Sequence, residues 1–292
     1  MRIKQIVKDA PKMLAEFYGI TVKEAKEKIE IGPELVKEEW EEYGVDYDEF
    51  YQKVKSYPFD LAKFSNVYRL TYLKGVFEYA TSPNVPYIEN IFDEDRKLKL
   101  LEIGSGGGEL ALALSDMFDV TCVDVPGTTF DYAKFRAEKY GLDIRFLNEI
   151  PDEKFDIVSA QDVMEHVTNL DALLTAIGKA LTVGGLLLSS ALWFNSNHYL
   201  HLDKYTLLRD TFIVDFGSLF DLWLNQVLIC DGIKDTEPSG SVGIFRYLPS
   251  LTEGLNIGNV LMSRVDARIP ASIPSIEGIT RAEKIQYLLT IT

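Results

Sequence analysis

The stretch LLEIGSGGGELALAL, residues 100–114, places four glycines among the five residues from 104 to 108, between an apolar run and a helix-like run. Glycine costs backbone entropy and adds no packing, so such a segment is a turn whose main chain must come very close to something. The helix that follows offers free N–H groups to an anionic ligand atom. Asp124 closes the next apolar run, VTCVDV, twenty positions after Gly104. A carboxylate there can accept hydrogen bonds from both hydroxyls of a ribose. Gln161 and Asp162 end a later apolar run, and Glu165 and His166 follow one helical turn on. The chain has three histidines, His166, His198 and His201. Imidazole is the side chain best poised to take a proton near neutral pH. His198 and His201 lie in WFNSNHYLHLDKY, beside Trp193, Phe194 and Asn195. Each residue also has a structural reading. Asp124 can cap a helix, His166 can pack beneath a ligand, and His198 and His201 can bond a buried loop.

These groups need a scaffold that brings them to one edge. From Lys97 onward, short apolar runs alternate with helical ones. KLKLLEIG, DVTCVDV, IRFLNEI, KFDIVSAQ and LLLSSALW read as strands. GELALALSDMF, TFDYAKFRAEKYG and NLDALLTAIGKALTVGG read as helices, the last ending at its glycine pair. This alternation predicts parallel β-α-β units in an α/β, doubly wound sheet, with LNQVLICDGI and GSVGIFRYLP as a closing pair of strands. The glycine turn then lies at the carboxyl edge, where such sheets bind ligands.

The first ~95 residues read instead as helices joined by short breaks. TVKE, from Thr21 to Glu24, is a capping box. Gly32-Pro33 ends one helix and starts the next. FDLAKFSNVYRLTYLKGVFEYA reads as one long helix ending before the prolines of TSPNVP. On it, Phe64, Tyr68 and Tyr72 form one stripe, which is a core pattern but also brings Tyr68, Arg69 and Tyr72 within reach of a ligand. The expected organisation is a helical cap over residues 1–95, a Rossmann-like core over 96–250 and an extension packed on the core over 251–292.

Composition narrows the function. With 47% hydrophobic and 12% aromatic residues the chain can build a real core. A formal net charge of −15 repels phosphate backbones, so nucleic acid is excluded as a partner class. The two cysteines, Cys122 and Cys230, sit in apolar runs and read as buried thiols of a reducing compartment. Nothing in the spacing suggests a metal site. The start lacks a signal-peptide pattern and no apolar run is long enough to span a membrane, so a cytoplasmic protein is expected, with no membrane partner.

Two ligand classes compete for the glycine turn. A dinucleotide fingerprint, G-x-G-x-x-G, needs its third glycine at position 109, where Glu109 stands. That disfavours an NAD-dependent oxidoreductase. The pattern of an acid followed by G-x-G-x-G, carried by Glu102, Gly104, Gly106 and Gly108, resembles the class I, Rossmann-like S-adenosylmethionine-dependent methyltransferases. The resemblance covers residues 97–192 and extends through FDIVSAQDVMEHV and the glycine turn before the fifth strand. It implies that Glu102, Gly104, Ser105, Gly106 and Gly108 cradle the amino-acid end of S-adenosylmethionine, that Asp124 holds its ribose and that Val125 beside it also contacts the cofactor. Asn148, Glu149 and Ile150 stand at the adenine position, and Gln161 and Asp162 approach the sulfonium. It also implies methyl transfer to an oxygen or nitrogen of a small-molecule acceptor, with S-adenosylhomocysteine as product and His166, His198 or His201 as candidate bases. Tyr68, Arg69, Tyr72, Trp193, Phe194 and Asn195 are candidate acceptor contacts. A cofactor-binding regulatory or assembly protein without turnover remains the alternative from another class, and a homo-oligomer is compatible with all of this.

Overall fold

The computed structural model describes residues 3–43, 47–65, 67–82, 96–190, 200, 222–230 and 240–247. Six helices come first: α1 (Ile3–Tyr18), α2 (Val22–Glu30), α3 (Gly32–Tyr43), α4 (Tyr47–Lys53), α5 (Tyr57–Phe64) and α6 (Val67–Ala80). Then follow β1 (Lys99–Ile103), α7 (Glu109–Leu114), β2 (Asp119–Val123), α8 (Thr128–Tyr140), β3 (Ile144–Leu147), β4 (Phe155–Ala160), a 3-10 turn (Met164–His166), α9 (Leu170–Ala180), β5 (Leu181–Ser189), β6 (Leu222–Cys230) and β7 (Gly240–Tyr247).

The strands form one seven-stranded sheet in the order β3-β2-β1-β4-β5-β7-β6. The first five run parallel, and β7 runs antiparallel to both β5 and β6. The α/β doubly wound sheet and its closing strand pair agree with the sequence. Alternate side chains of the central strands are buried on opposite faces. Leu100, Val120, Cys122, Ile157 and Leu186 pack under α6, α7 and α8. Leu101, Ile103, Val158 and Leu187 pack with Leu174 and Ile177 of α9. Burial on both faces is why these strands read as unbroken apolar runs. Strand order reverses between β1 and β4, so a crevice opens beyond their carboxyl ends.

Thr21 and Glu24 complete the expected capping box, each side chain bonding the other's backbone N–H. Two expectations in the local structure are corrected. The long helix is two: α5 ends at Phe64, and Ser65 has an extended backbone (φ −72°, ψ 105°). Phe64 is therefore not on the helix that carries Tyr72. Phe64 is 47% exposed, while Tyr72 is 5% exposed and packs in the core with Leu73, Val76 and Phe77. Helix α9 also stops before its glycines, at Ala180. Gly184 (φ 79°) and Gly185 lie inside β5, where the pairing with β4 shifts register and a Cβ on Gly185 would meet the Thr182 carbonyl at 2.9 Å. They form a bulge, and tight approach replaces helix capping as their role.

Helix α6 lies against the sheet with α7, so it shares the core's packing, whereas α1, α2 and α5 pack outside α8 through Met13, Leu14, Phe59 and Tyr132. No described helix is long and apolar enough to cross a membrane. Cys122 is buried as a free thiol, as read from the sequence.

Candidate functional site

The glycine turn joins β1 to α7. Gly104, Gly106 and Gly108 all have left-handed backbone, with φ of 65°, 52° and 77°. A side chain is strained there, which explains the glycine spacing. Neighbours press on the turn as well. A Cβ on Gly104 would lie 2.3 Å from Val163 of the segment after β4, and one on Gly108 would lie 3.1 Å from Ala133 of α8.

Asp124 faces this turn from the end of β2. Its Oδ2 accepts from the Gly106 N–H at 2.7 Å and its Oδ1 from the Val125 N–H at 2.7 Å. Burial pushes its carboxyl up to about 6, against the lowering effect of those two N–H bonds. Glu102, 5% exposed beneath the turn, is pushed up to about 8 by burial and by the nearby Glu109 and Asp124 carboxylates. Asp60 of α5 is pushed up to about 6 by burial. A cation beside Asp124 would favour its carboxylate form.

Asp162 enters the crevice from β4 and has φ 53°, the one positive value for a non-glycine residue among those described. Ser190, just past β5, holds it there: the Asp162 N–H donates to Ser190 Oγ at 2.9 Å, and Oγ donates to Asp162 Oδ1 at 2.9 Å. Aspartate is among the residues that tolerate this region, and the two Ser190 bonds fix it there. Gln161 instead turns its amide back to the Leu188 carbonyl at 2.9 Å, which ties β4 to β5. Asn148 donates to the Asp124 carbonyl at 3.1 Å, Ile150 packs against the core, and Glu149 is exposed. Ser105 is buried behind the turn. Glu165 is buried and His166 is half-buried. His166 Nδ1 lies 2.8 Å from the Leu200 carbonyl and 2.9 Å from the Tyr51 hydroxyl. A carbonyl only accepts, so Nδ1 carries the proton.

The structure thus brings Gly104, Gly106, Gly108, Asp124, Val125 and Asp162 together at the carboxyl edge. Tyr72 is placed in the core with Leu73, Val76 and Phe77. The side chains of Tyr68 and Arg69, and all of Trp193, Phe194, Asn195, His198 and His201, lie outside the described residues. Several participants escaped the sequence reading. Arg136 of α8, 1% exposed, donates to the Gly107 carbonyl at 2.8 Å and pairs with Glu109. Glu109 therefore spends its charge on Arg136. Tyr51 and Tyr57 of the N-terminal helices line the crevice with Gly106, Asp124, Val125, Thr129 and Phe130.

A glycine cradle whose N–H groups stand beside a buried acid fits a nucleoside that bears both a carboxylate and a cation. Residues 101–189 match the family model of the methyltransferase domain. A ubiquinone biosynthesis O-methyltransferase of Brucella anthropi is 33% identical over 131 residues, which is 42% of this chain and 50% of that protein. The Rickettsia prowazekii protein of the same name is 29% identical over 119 residues, covering 39% and 47% respectively. The chain thus spans about half the length of these curated relatives. A magnesium protoporphyrin IX methyltransferase from Synechocystis PCC 6803 superposes with a TM-score of 0.47 at 15% identity, covering 64% of this chain and 86% of that one. Residues 101–189 of this chain are a methyltransferase domain of the class I, S-adenosylmethionine-dependent kind.

Proposed function

We propose that the chain transfers a methyl group from S-adenosylmethionine to an oxygen or nitrogen of a small-molecule acceptor. The names of the matched relatives favour oxygen. The single observation carrying this reading is the left-handed glycine turn bonded to Asp124 at the point where strand order reverses. The net charge of −15 speaks for an acceptor that is not a nucleic acid.

When bound, the cofactor supplies a methyl group already activated by positive sulfur, so the protein's work is alignment and charge. Gly104, Gly106 and Gly108 donate their N–H groups to the Val123 carbonyl, Asp124 and the Ser105 carbonyl, so the N–H groups of Ser105 and Gly107 are the donors that would meet its carboxylate. Asp124 is the acceptor for the ribose hydroxyls, and Val125, Asn148, Glu149 and Ile150 border the base. Asp162, held by Ser190, adds negative potential near the sulfonium. An acceptor nucleophile has to stand in line at about 3 Å, which is worth several kcal/mol of barrier. His166, beside the crevice and bonded through Nδ1, is a candidate to take an acceptor's proton. His198 and His201 remain candidates for the same role.

Calorimetric titration with S-adenosylmethionine and with NAD tests the ligand, and transfer of labelled methyl to a panel of hydroxylated and amino compounds tests the reaction. The expected result is binding of the first ligand only, with labelled product from at least one acceptor. Binding of NAD alone would overturn the reading.

A further inference from the structure

Gly107 is the glycine of the turn that backbone geometry does not demand. Gly104, Gly106 and Gly108 are left-handed, and Gly107 is not. What forbids a side chain there is a neighbour. A Cβ on Gly107 would meet both carboxylate oxygens of Glu109 at 2.9 Å and the carboxyl carbon at 3.3 Å. The end of a glutamate can ordinarily step aside, but this one is pinned. Arg136 of α8 pairs with it, and the same Nη1 donates to the Gly107 carbonyl at 2.8 Å. One guanidinium thus grips both the main chain of the turn and the acid packed on it.

The pair is buried unequally. The Arg136 side chain is 1% exposed and that of Glu109 is 16% exposed. The guanidinium also lies 5.2 Å from the Tyr132 ring centroid, where a cation is attracted to the ring. Burial works to discharge Arg136, but the adjacent Glu109 carboxylate outweighs it and keeps the group charged. The field of Glu109 extends beneath the turn, where it joins burial in pushing up the Glu102 carboxyl. An unpaired Glu109 would therefore oppose an anion on the Ser105 and Gly107 N–H groups.

We propose that Arg136 is a positioning residue for the cofactor's carboxylate: it fixes Gly107 through its carbonyl and cancels Glu109, so that the turn receives an anion its own acid would repel. The proposal rests on the site assignment given above. Arg136 acts through Gly107 and Glu109, not by touching the ligand. The preference for a ligand that carries a carboxylate then follows the net charge of the pair. The pair is neutral in the parent, negative without the guanidinium and positive without the glutamate charge.

The test compares S-adenosylmethionine with decarboxylated S-adenosylmethionine, which keeps the nucleoside and the sulfonium and lacks only the carboxylate. Calorimetric titration of the full chain gives the ratio of the two affinities. Arg136→Gln should lower affinity for S-adenosylmethionine about tenfold, the scale of one uncancelled charge near a partly buried site, with little loss for the decarboxylated ligand. Glu109→Gln, whose amide oxygen can still accept from Arg136, should shift the ratio several-fold toward S-adenosylmethionine. The two substitutions together should bring the ratio back toward the parent's while stability in urea stays low. A role confined to folding predicts no such recovery. Glu109→Gln alone keeps the test valid if Arg136→Gln folds poorly. Equal losses for both ligands in Arg136→Gln, or a parental ratio in Glu109→Gln, would overturn the role of Arg136 and leave the site intact. Binding of neither ligand to the parent would overturn the site assignment itself.

Discussion

The two ends of the same sheet are built on opposite electrostatic plans. At the amino edge a groove of about 260 Å³ is lined by Lys99, Asp119, Thr121, Asp143, Arg145, Glu153 and Phe155. Its cations are committed: Lys99 lies 3.7 Å from Glu153, and Arg145 bonds both Glu153 and the Thr121 hydroxyl. Beside it, Arg96 grips Asp156 through two bonds of 2.7 and 2.6 Å, and those bonds help hold its carboxyl below the usual range. At the carboxyl edge the cavity is roughly a tenth as large, yet Asp124, Glu102 and Asp60 are all pushed above their ordinary values. The charges of the amino edge answer one another within the fold, whereas the acids of the carboxyl edge are pushed up by burial and would be favoured as carboxylates by an incoming cation. Cavity size alone would have pointed to the wrong end.

Four substitutions or titrations bear on that contrast. Gly106→Val should have the largest effect. A β-branched side chain at φ 52° beside Leu61 should abolish S-adenosylmethionine binding in calorimetry while far-ultraviolet circular dichroism stays that of the parent. Arg136→Met should come next. It strands Glu109 and frees the Gly107 carbonyl, and should lower stability in urea by about 3–5 kcal/mol, the scale for breaking a buried ion pair. Asp124→Ala should weaken cofactor binding by about 1–3 kcal/mol with little change at the amino edge. Arg145→Ala should do the least, costing stability no more than about 1 kcal/mol, as exposed pairs do, and leaving cofactor affinity unchanged. A loss of affinity in Arg145→Ala comparable with that in Asp124→Ala would dissolve the contrast between the two edges.

The pH dependence sharpens it further. Asp124 is raised in the folded chain to about 6 from 3.8, so the folded state takes up the proton first. Its contribution to unliganded stability therefore grows as pH falls through about 6 toward 3.8 and is lost as pH rises. A cationic ligand favours the carboxylate, so affinity should fall as pH drops from about 7 to about 5. Asp124→Asn should flatten that slope in calorimetric titrations across the range.

Much of the core was legible because its signals are local. Apolar runs marked the parallel strands, the glycine spacing marked the turn, and Asp124 followed from its place at the end of β2. What escaped depended on distant partners. Arg136 is not singled out by its sequence neighbourhood, since arginine is rarely fully buried unless paired. Its partner Glu109 lies 27 residues away. The signal was present on α8, where Thr129, Tyr132, Ala133, Arg136 and Ala137 share one buried face. Tyr51 and Tyr57 sit some fifty residues before the turn they border, and no periodicity within the chain links them to it. The break at Ser65 was hidden because serine neither forbids a helix nor marks its end as glycine or proline would. Gly184 and Gly185 follow a helix in sequence as a helix stop does, and only the register of β4 and β5 reveals a bulge.

The account's central claim is tested most directly by diffraction from crystals grown with S-adenosylhomocysteine. The predicted result is a nucleoside at the carboxyl edge, with its ribose on Asp124 and its carboxylate on the main chain of residues 104–108. A nucleoside bound in the amino-edge groove between Lys99 and Glu153, with the glycine turn still bonded to Asp124 alone, would contradict it.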